Sequence, residues 1–196
     1  MRVFISPFQI LISMKTLVVH PDDRTTDFLK PIYNRLSDTT VLTGGNYSSN
    51  EMNKLIESHD RVIMLGHGWE HGLLSKGVFT HGEYIIDSKN VDALKLKDNS
   101  VFIWCYAEEF VACNNLKGIC TGMFISEPLE AIMNDVDYQL KDITTSNDLF
   151  AGLLGDSLLR NASIKEAYYD VFHGYTCPTN SNQVLTYNAE RWYYYM

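Results

Sequence analysis

The chain has 196 residues, 45% of them hydrophobic and 20% charged, which fits one globular domain with a sizeable core. Its 24 acidic against 16 basic residues leave a net charge of −8, which argues against a nucleic-acid partner because such a partner requires a basic face. No apolar run reaches the roughly 18 residues that would cross a bilayer, so we expect no membrane partner.

The first half of the chain alternates short β-branched runs with amphipathic stretches. The runs have the length of buried strands, and the stretches place apolar residues at helical spacing. The predicted elements are, in order, a strand at 15–20, a helix at 23–36, a strand at 39–43, a helix from the Ser48 cap to 58, a strand at 61–66, a Gly-rich loop at 67–82 and a hairpin arm at 83–86.

The second half continues this pattern and adds two longer helices. The predicted elements are a helix at 90–96, a strand at 101–104, a helix at 107–116, a strand at 119–125, helices at 127–134, 146–161 and 164–173, and an aromatic tail at 183–196 that packs as a strand or extended segment. Short apolar strands alternating with helices predict an α/β domain with a mostly parallel central sheet covered by helices on both faces. In such a sheet the loops at the carboxyl ends of the strands build the functional site.

The beginning of the chain and its cysteines indicate the cellular compartment in which the protein functions. Residues 1–14 are predicted to be an N-terminal extension of the domain at 15–196, with Met14 as a second plausible start, because the apolar stretch is more broken than in a signal peptide. The four cysteines are Cys105, Cys113, Cys120 and Cys177. Their spacings fit neither a metal site nor a disulfide framework, so we expect free thiols in a reducing, cytoplasmic compartment. Within its apolar run, Cys120 is predicted to be a buried core thiol.

Two strand ends carry side chains capable of nucleophilic chemistry. The strand at 61–66 delivers His67, and the strand at 101–104 delivers Cys105. If these strands are neighbours in a parallel sheet, the imidazole and the thiol meet at one edge, where the imidazole raises the thiolate fraction and protonates a leaving amine. Gly68, which lacks a β-carbon, allows a substrate carbonyl to approach its backbone N–H as a possible oxyanion donor.

The two blocks VIMLGHG at 62–68 and VFIWC at 101–105 resemble the caspase-like (clan CD) cysteine peptidases, which include caspases, clostripain, gingipains and CHAT-domain proteases. In that family an apolar strand ends in His-Gly and the next strand of the sheet ends in the nucleophilic cysteine. The resemblance implies a caspase-like α/β domain that hydrolyses polypeptides without a cofactor. It also implies that His67 is the general acid/base, that Cys105 is the nucleophile and that the Gly68 amide belongs to the oxyanion hole.

Acidic residues at the same edge of the predicted sheet suggest a substrate preference. Asp22 and Asp23 follow the first strand, and Glu127 follows the fifth. A carboxylate in a partly desolvated pocket favours a cationic side chain, so these residues predict cleavage after Arg or Lys, unless the two aspartates only cap the first helix. Glu108 and Glu109, close behind the cysteine, are expected to raise its pKa.

Other functions fit the sequence less well. A zinc site built from His67, His71 and His81 lacks the helical HExxH spacing, and no GxGxxG fingerprint marks a dinucleotide site, so we expect neither metal nor cofactor. The alternative function is a catalytically inactive caspase-like or flavodoxin-like module that acts in binding or assembly. Residues 71–86, which are Gly-rich and lie between two sheet strands, are expected to form an arm over the cleft.

Overall fold

The central sheet has six strands in the order β2-β1-β3-β7-β8-β9. The structure is a computed structural model that describes residues 14–75, 83–177 and 182–196, so the predicted extension lies, except for Met14, outside the described residues. The six strands are β1 (Thr16–Val19), β2 (Thr39–Leu42), β3 (Arg61–Leu65), β7 (Ser100–Ile103), β8 (Gly118–Thr121) and β9 (Trp192–Tyr195). The first five run parallel, and β9 pairs antiparallel with β8. This confirms the predicted α/β fold with its mostly parallel sheet.

Helices cover both faces of the sheet because successive strand residues point to opposite sides. On one face, Ile63 and Leu65 of β3 pack in a core with α5, α6, α7 and the first 3-10 helix. On the other face, Val62 and Met64 pack with α1, α2 and α3. The helices are a 3-10 helix at Arg24–Ile32, α1 (Ser49–Glu57), a short 3-10 turn at Ser88–Asn90, α2 (Val91–Leu94), α3 (Ala107–Cys113), α4 (Pro128–Met133), α5 (Leu140–Leu159), α6 (Ile164–Tyr175) and α7 (Gln183–Ala189). Among these, none is both long and apolar enough to span a bilayer.

A small antiparallel sheet follows β3, where the sequence predicts a loop. It consists of β4 (Gly68–Trp69), β5 (Gly72–Leu74) and β6 (Tyr84–Ile86) in that order. Gly72 makes the close strand approach possible, since a β-carbon there would lie 2.0 Å from the Ile86 carbonyl oxygen and its φ is +143°. The described parts of the predicted arm therefore pack on the domain through Leu73 and Ile86, whereas residues 76–82 lie outside the described residues.

Several predicted boundaries were wrong: β8 ends at Thr121 rather than 125, and α3 ends at Cys113 rather than 116. Three further differences have identifiable reasons. The first helix is a 3-10 helix that ends at Ile32 rather than 36, and Pro31 inside it has no N–H for an α-helical ladder. Helix α5 begins at Leu140, six residues before the predicted start, and an Asp142 carboxylate accepts from the Gln139 N–H at its beginning (2.8 Å). The tail begins with α7 because the Asn182 side chain caps the Leu185 N–H, and only its last residues form the predicted strand.

Candidate functional site

The sheet register brings His67 and Cys105 to the same level of two neighbouring strands. Val62 pairs with Ser100, and Leu65 with Ile103, so paired residues are 38 positions apart. His67 and Cys105 keep that separation two residues beyond the last pair, and both line one small cavity of about 30 Å³ on the face that Leu65 and Ile103 occupy. An imidazole and a thiol therefore share one side of one sheet edge, as the sequence predicts.

A hydrogen-bonded chain holds the imidazole from the side of the first 3-10 helix. The Thr25 hydroxyl donates to Asp23 Oδ1 (2.7 Å) and lies 2.7 Å from His67 Nε2. A hydroxyl has one proton, and because the Asp23 carboxylate accepts it, His67 Nε2 must be the donor to Thr25. The neutral imidazole then carries its proton on Nε2, which leaves the Nδ1 lone pair free to accept a proton.

Asp23 thus acts in the structure as an orienting and capping residue. Its carboxylate also accepts from the Thr25 N–H (2.9 Å), and its Oδ2 lies 3.8 Å from His67 Nε2. These hydrogen bonds, together with the nearby His67 imidazole, lower the pKa of the Asp23 carboxyl against the opposing effect of burial. The carboxylate therefore stays ionised, which favours the imidazolium that would form in catalysis.

The Cys105 side chain is half-buried, and its surroundings strongly disfavour the thiolate. Burial, and to a smaller extent the Glu130 and Glu108 carboxylates, raise the pKa of the Cys105 thiol to about 12. A hydrogen bond from the Phe124 N–H acts in the opposite direction and lowers this pKa. The sequence also predicts a raised pKa for Cys105, but Glu130 raises it more than Glu108 does. The resting thiol is neutral.

Glu130 is one of two site residues that sequence reasoning missed, the other being Thr25. It lines the His67–Cys105 cavity, and its Oε2 accepts from the Ser126 N–H (2.6 Å), the Ser126 hydroxyl (3.0 Å) and the Glu127 N–H (2.9 Å). Burial raises the pKa of its carboxyl despite these hydrogen bonds. A glutamate at the third position of α4 is a capping signal that the sequence carries, but that signal does not show that the cap faces Cys105.

Gly68, which directly follows His67, occupies a tightly packed position next to the pair of His67 and Cys105, called the dyad below. A β-carbon there would lie 2.2 Å from Trp104 Cδ1 and 2.5 Å from the Gly72 carbonyl oxygen. The Trp104 indole N–H donates to the Trp69 carbonyl (3.1 Å), which fixes the ring against this glycine. The need for glycine here is therefore explained by packing, and Gly66 rather than Gly68 lines the small cavity.

The acidic residues predicted to form a substrate pocket do not line that cavity. Asp22 is exposed and donates its N–H to the Thr43 carbonyl, Asp23 caps the first 3-10 helix, and Glu127 begins α4. The capping interpretation is thus confirmed for Asp23. None of the three is among the described residues that line the His67–Cys105 cavity.

No protein-family model and no curated protein matches the chain. Within the described residues, no three His, Cys, Asp or Glu side chains come together as a metal ion would require, and His81 lies outside those residues. Cys105, Cys113 and Cys120 are free thiols, and Cys120 is fully buried, as the sequence predicts.

Proposed function

We propose that the protein is a cysteine endopeptidase with Cys105 as nucleophile and His67 as general acid/base. The observation that carries the proposal is the cavity at the ends of β3 and β7, which both His67 and Cys105 line. The resemblance to caspase-like peptidases, in which these two strand ends hold the catalytic pair, supports the same function. The proposed substrate is a polypeptide, and the proposed compartment is the reducing cytoplasm, in keeping with the free thiols of Cys105, Cys113 and Cys120.

The proposed reaction uses the protonation states of the resting site. Cys105 Sγ attacks the carbonyl carbon of the scissile bond while its proton passes to His67 Nδ1. The C–N bond then breaks, and the imidazolium gives that proton to the leaving amine, which leaves a thioester on Cys105. Water hydrolyses the thioester with His67 again as base, and the Gly68 N–H is the proposed oxyanion donor. Asp23 and Thr25 orient the imidazole throughout.

Because the resting thiol is neutral, His67 acts as a true base in the first step. A preformed thiolate–imidazolium pair would require a thiol pKa below that of the imidazole, whereas burial and Glu130 raise the pKa of Cys105. Proton transfer therefore accompanies attack on the substrate.

Labelling with a peptide that carries an electrophilic ketone tests the proposal. We expect the wild-type chain to form one covalent adduct at Cys105, and we expect Cys105→Ala and His67→Gln to lose it. Cys113→Ala is the matched control because Cys113 is exposed and lies outside the cavity, so this variant should keep the adduct. An adduct on Cys113 or Cys177 instead of Cys105 contradicts the assignment of the nucleophile.

A non-catalytic binding module of the same fold is the second candidate. The burial of the thiol and the size of the His67–Cys105 cavity, about 30 Å³, favour it, because that volume holds little more than one water molecule. The same experiment separates the two: a folded wild-type chain that never labels at Cys105, at any probe concentration, supports the binding module.

A further inference from the structure

Helix α4 presents an apolar side to solvent near the carboxyl edge of the sheet. Its Leu129, Ile132 and Met133 side chains are 62%, 61% and 73% exposed. Their spacing of three and four residues places them on one side of the helix. The other side of α4 carries the fully buried Ala131 and Glu130, which lines the His67–Cys105 cavity. Large apolar side chains grouped in this way are typical of an interaction site.

A groove continues this apolar side from α4 to α7. Ile132, Val136 and Tyr138 line a cavity of about 330 Å³, and Val136 also lines a second cavity of about 440 Å³ together with Tyr187 of α7. Val136, Tyr138 and Tyr187 pack against one small hydrophobic core and so form an apolar floor. The Tyr187 hydroxyl donates to Asn134 Oδ1 (2.7 Å), which fixes the ring. The groove is therefore preformed, and its two parts meet at Val136.

The rim of this groove is acidic. Asp135 and Asp137 line the smaller cavity, both are exposed, and neither makes an ion pair among the described residues. Glu190 lines the larger cavity, where it is paired with Arg191 (3.4 Å). Residues 127–142 contain two glutamates and three aspartates against one lysine. The groove therefore favours apolar atoms on its floor and cations at its rim.

We propose that this groove binds an amphipathic helix of a partner protein. The apolar side of that helix packs on Ile132, Met133 and Val136, and its lysine or arginine side chains meet Asp135 and Asp137. None of the described residues that line the groove belongs to a strand. A bound segment must therefore satisfy its own backbone hydrogen bonds, as a helix does.

The acidic rim distinguishes this partner from other occupants. A two-fold interface between copies of the chain would bring the aspartates of both copies together, and an anionic membrane would face the same carboxylates. The partner is a binding protein rather than a substrate, so the proposal holds whether or not Cys105 is a nucleophile.

Fluorescence anisotropy with two synthetic helical peptides tests the proposal. Both peptides have the same leucine side, and one carries lysine where the other carries glutamate on its polar side. We expect the full chain to bind the lysine peptide about tenfold more tightly, with an affinity that falls as the salt concentration rises. Equal binding of the two peptides, or binding of neither, overturns the proposal.

Apolar substitutions locate the binding on α4. Ile132→Ser and Met133→Ser should each weaken binding of the lysine peptide about tenfold, because each removes an apolar side chain that the partner would bury. Leu96→Ser is the matched control, since Leu96 is 71% exposed and lines neither cavity, and it should keep the wild-type affinity. An equal loss in the control, or no loss on α4, contradicts the assignment of the surface. All three residues are exposed, so the melting temperatures should equal that of the wild type.

Charge substitutions test the rim separately. Asp135→Asn combined with Asp137→Asn should reduce the preference for the lysine peptide to about twofold. Asp92→Asn on α2, which is exposed and lines neither cavity, should keep the tenfold preference. A preference that is unchanged in the double variant refutes the role of the aspartates.

Three other occupants would give different results, each of which overturns the proposal. Peptide binding by a chain shortened to 14–196, but not by the full chain, assigns the groove to residues 1–13. Dimerisation in sedimentation velocity that Ile132→Ser abolishes assigns it to a second copy. Binding of phosphatidylglycerol vesicles that the same variant abolishes assigns it to a membrane surface.

Discussion

Replacing Glu130 with glutamine is expected to lower the pKa of the Cys105 thiol. The glutamine keeps an acceptor for the Ser126 donors at the start of α4 and removes the charge that faces the thiol. With a thiol pKa of about 12, about one molecule in ten thousand carries the thiolate at pH 8. Removing one like charge from a partly desolvated site moves a pKa by about one unit, so we expect about tenfold more thiolate in Glu130→Gln.

The rate of iodoacetamide alkylation against pH measures this shift. The exposed Cys113 in the same molecule is the internal reference, and mass spectrometry of peptides reads both sites in one sample. At every pH up to about 10, well below a thiol pKa of about 12, a pKa lower by one unit should raise the Cys105 rate about tenfold while the Cys113 rate stays unchanged. Glu127→Gln is the matched control, because Glu127 lies on the same turn but does not line the cavity. An unchanged Cys105 rate in Glu130→Gln, or an equal rise in the control, refutes the electrostatic role of Glu130.

Three further outcomes test the orienting chain, the core and the glycine next to the dyad. Thr25→Val, which removes the hydroxyl between Asp23 and the imidazole, should slow covalent labelling about tenfold, while the exposed Thr186→Val should not; equal rates would contradict the orienting role. Burial lowers the pKa of His20 to about 4, so the unfolded chain takes up this proton first as the pH falls below 6.5. The His20 imidazole should therefore lower the free energy of unfolding by about 3 kcal/mol when the pH falls from 7 to 4. Urea unfolding should show that His20→Gln loses about 3 kcal/mol less than the wild type over the same pH range. Gly68→Ala places a methyl 2.2 Å from an indole carbon and should destabilise the fold by about 1–3 kcal/mol, whereas Gly152→Ala in open space on α5 should stabilise it by about 0.5–1 kcal/mol; a similar melting temperature for both would contradict the packing argument.

The strands that carry the dyad were readable from local sequence because each is a continuous apolar run. Their adjacency in the sheet is not local information, and it came into the sequence argument through the family resemblance. The strands of the small sheet, such as Gly68–Trp69, are too short to show the alternation that identifies a strand.

The two carboxylates around Cys105 mark the limit of sequence reasoning for the site. Glu108 stands out in sequence because it is three positions from the cysteine, but only packing shows that one of its oxygens is buried without a partner. Glu130 is 25 positions away and resembles an ordinary helix cap. Asp23 was correctly placed at the sheet edge, and the Thr25 hydroxyl that links it to His67 could not be inferred, since side-chain direction in a 3-10 turn depends on tertiary contacts.

The constant separation of 38 between partners on β3 and β7 has a consequence for redesign of the chain. Hydrogen bonding between the strands, rather than the length of the connection, holds His67 beside Cys105. Lengthening or cutting the connection between Ser75 and Glu83 should therefore leave the two side chains in place, provided that Ile86 keeps its position in the core. Deleting a single residue within β7 would instead turn Cys105 toward the opposite face of the sheet. We therefore expect an insertion in this connection to leave covalent labelling of Cys105 unchanged, and a one-residue deletion inside β7 to abolish it.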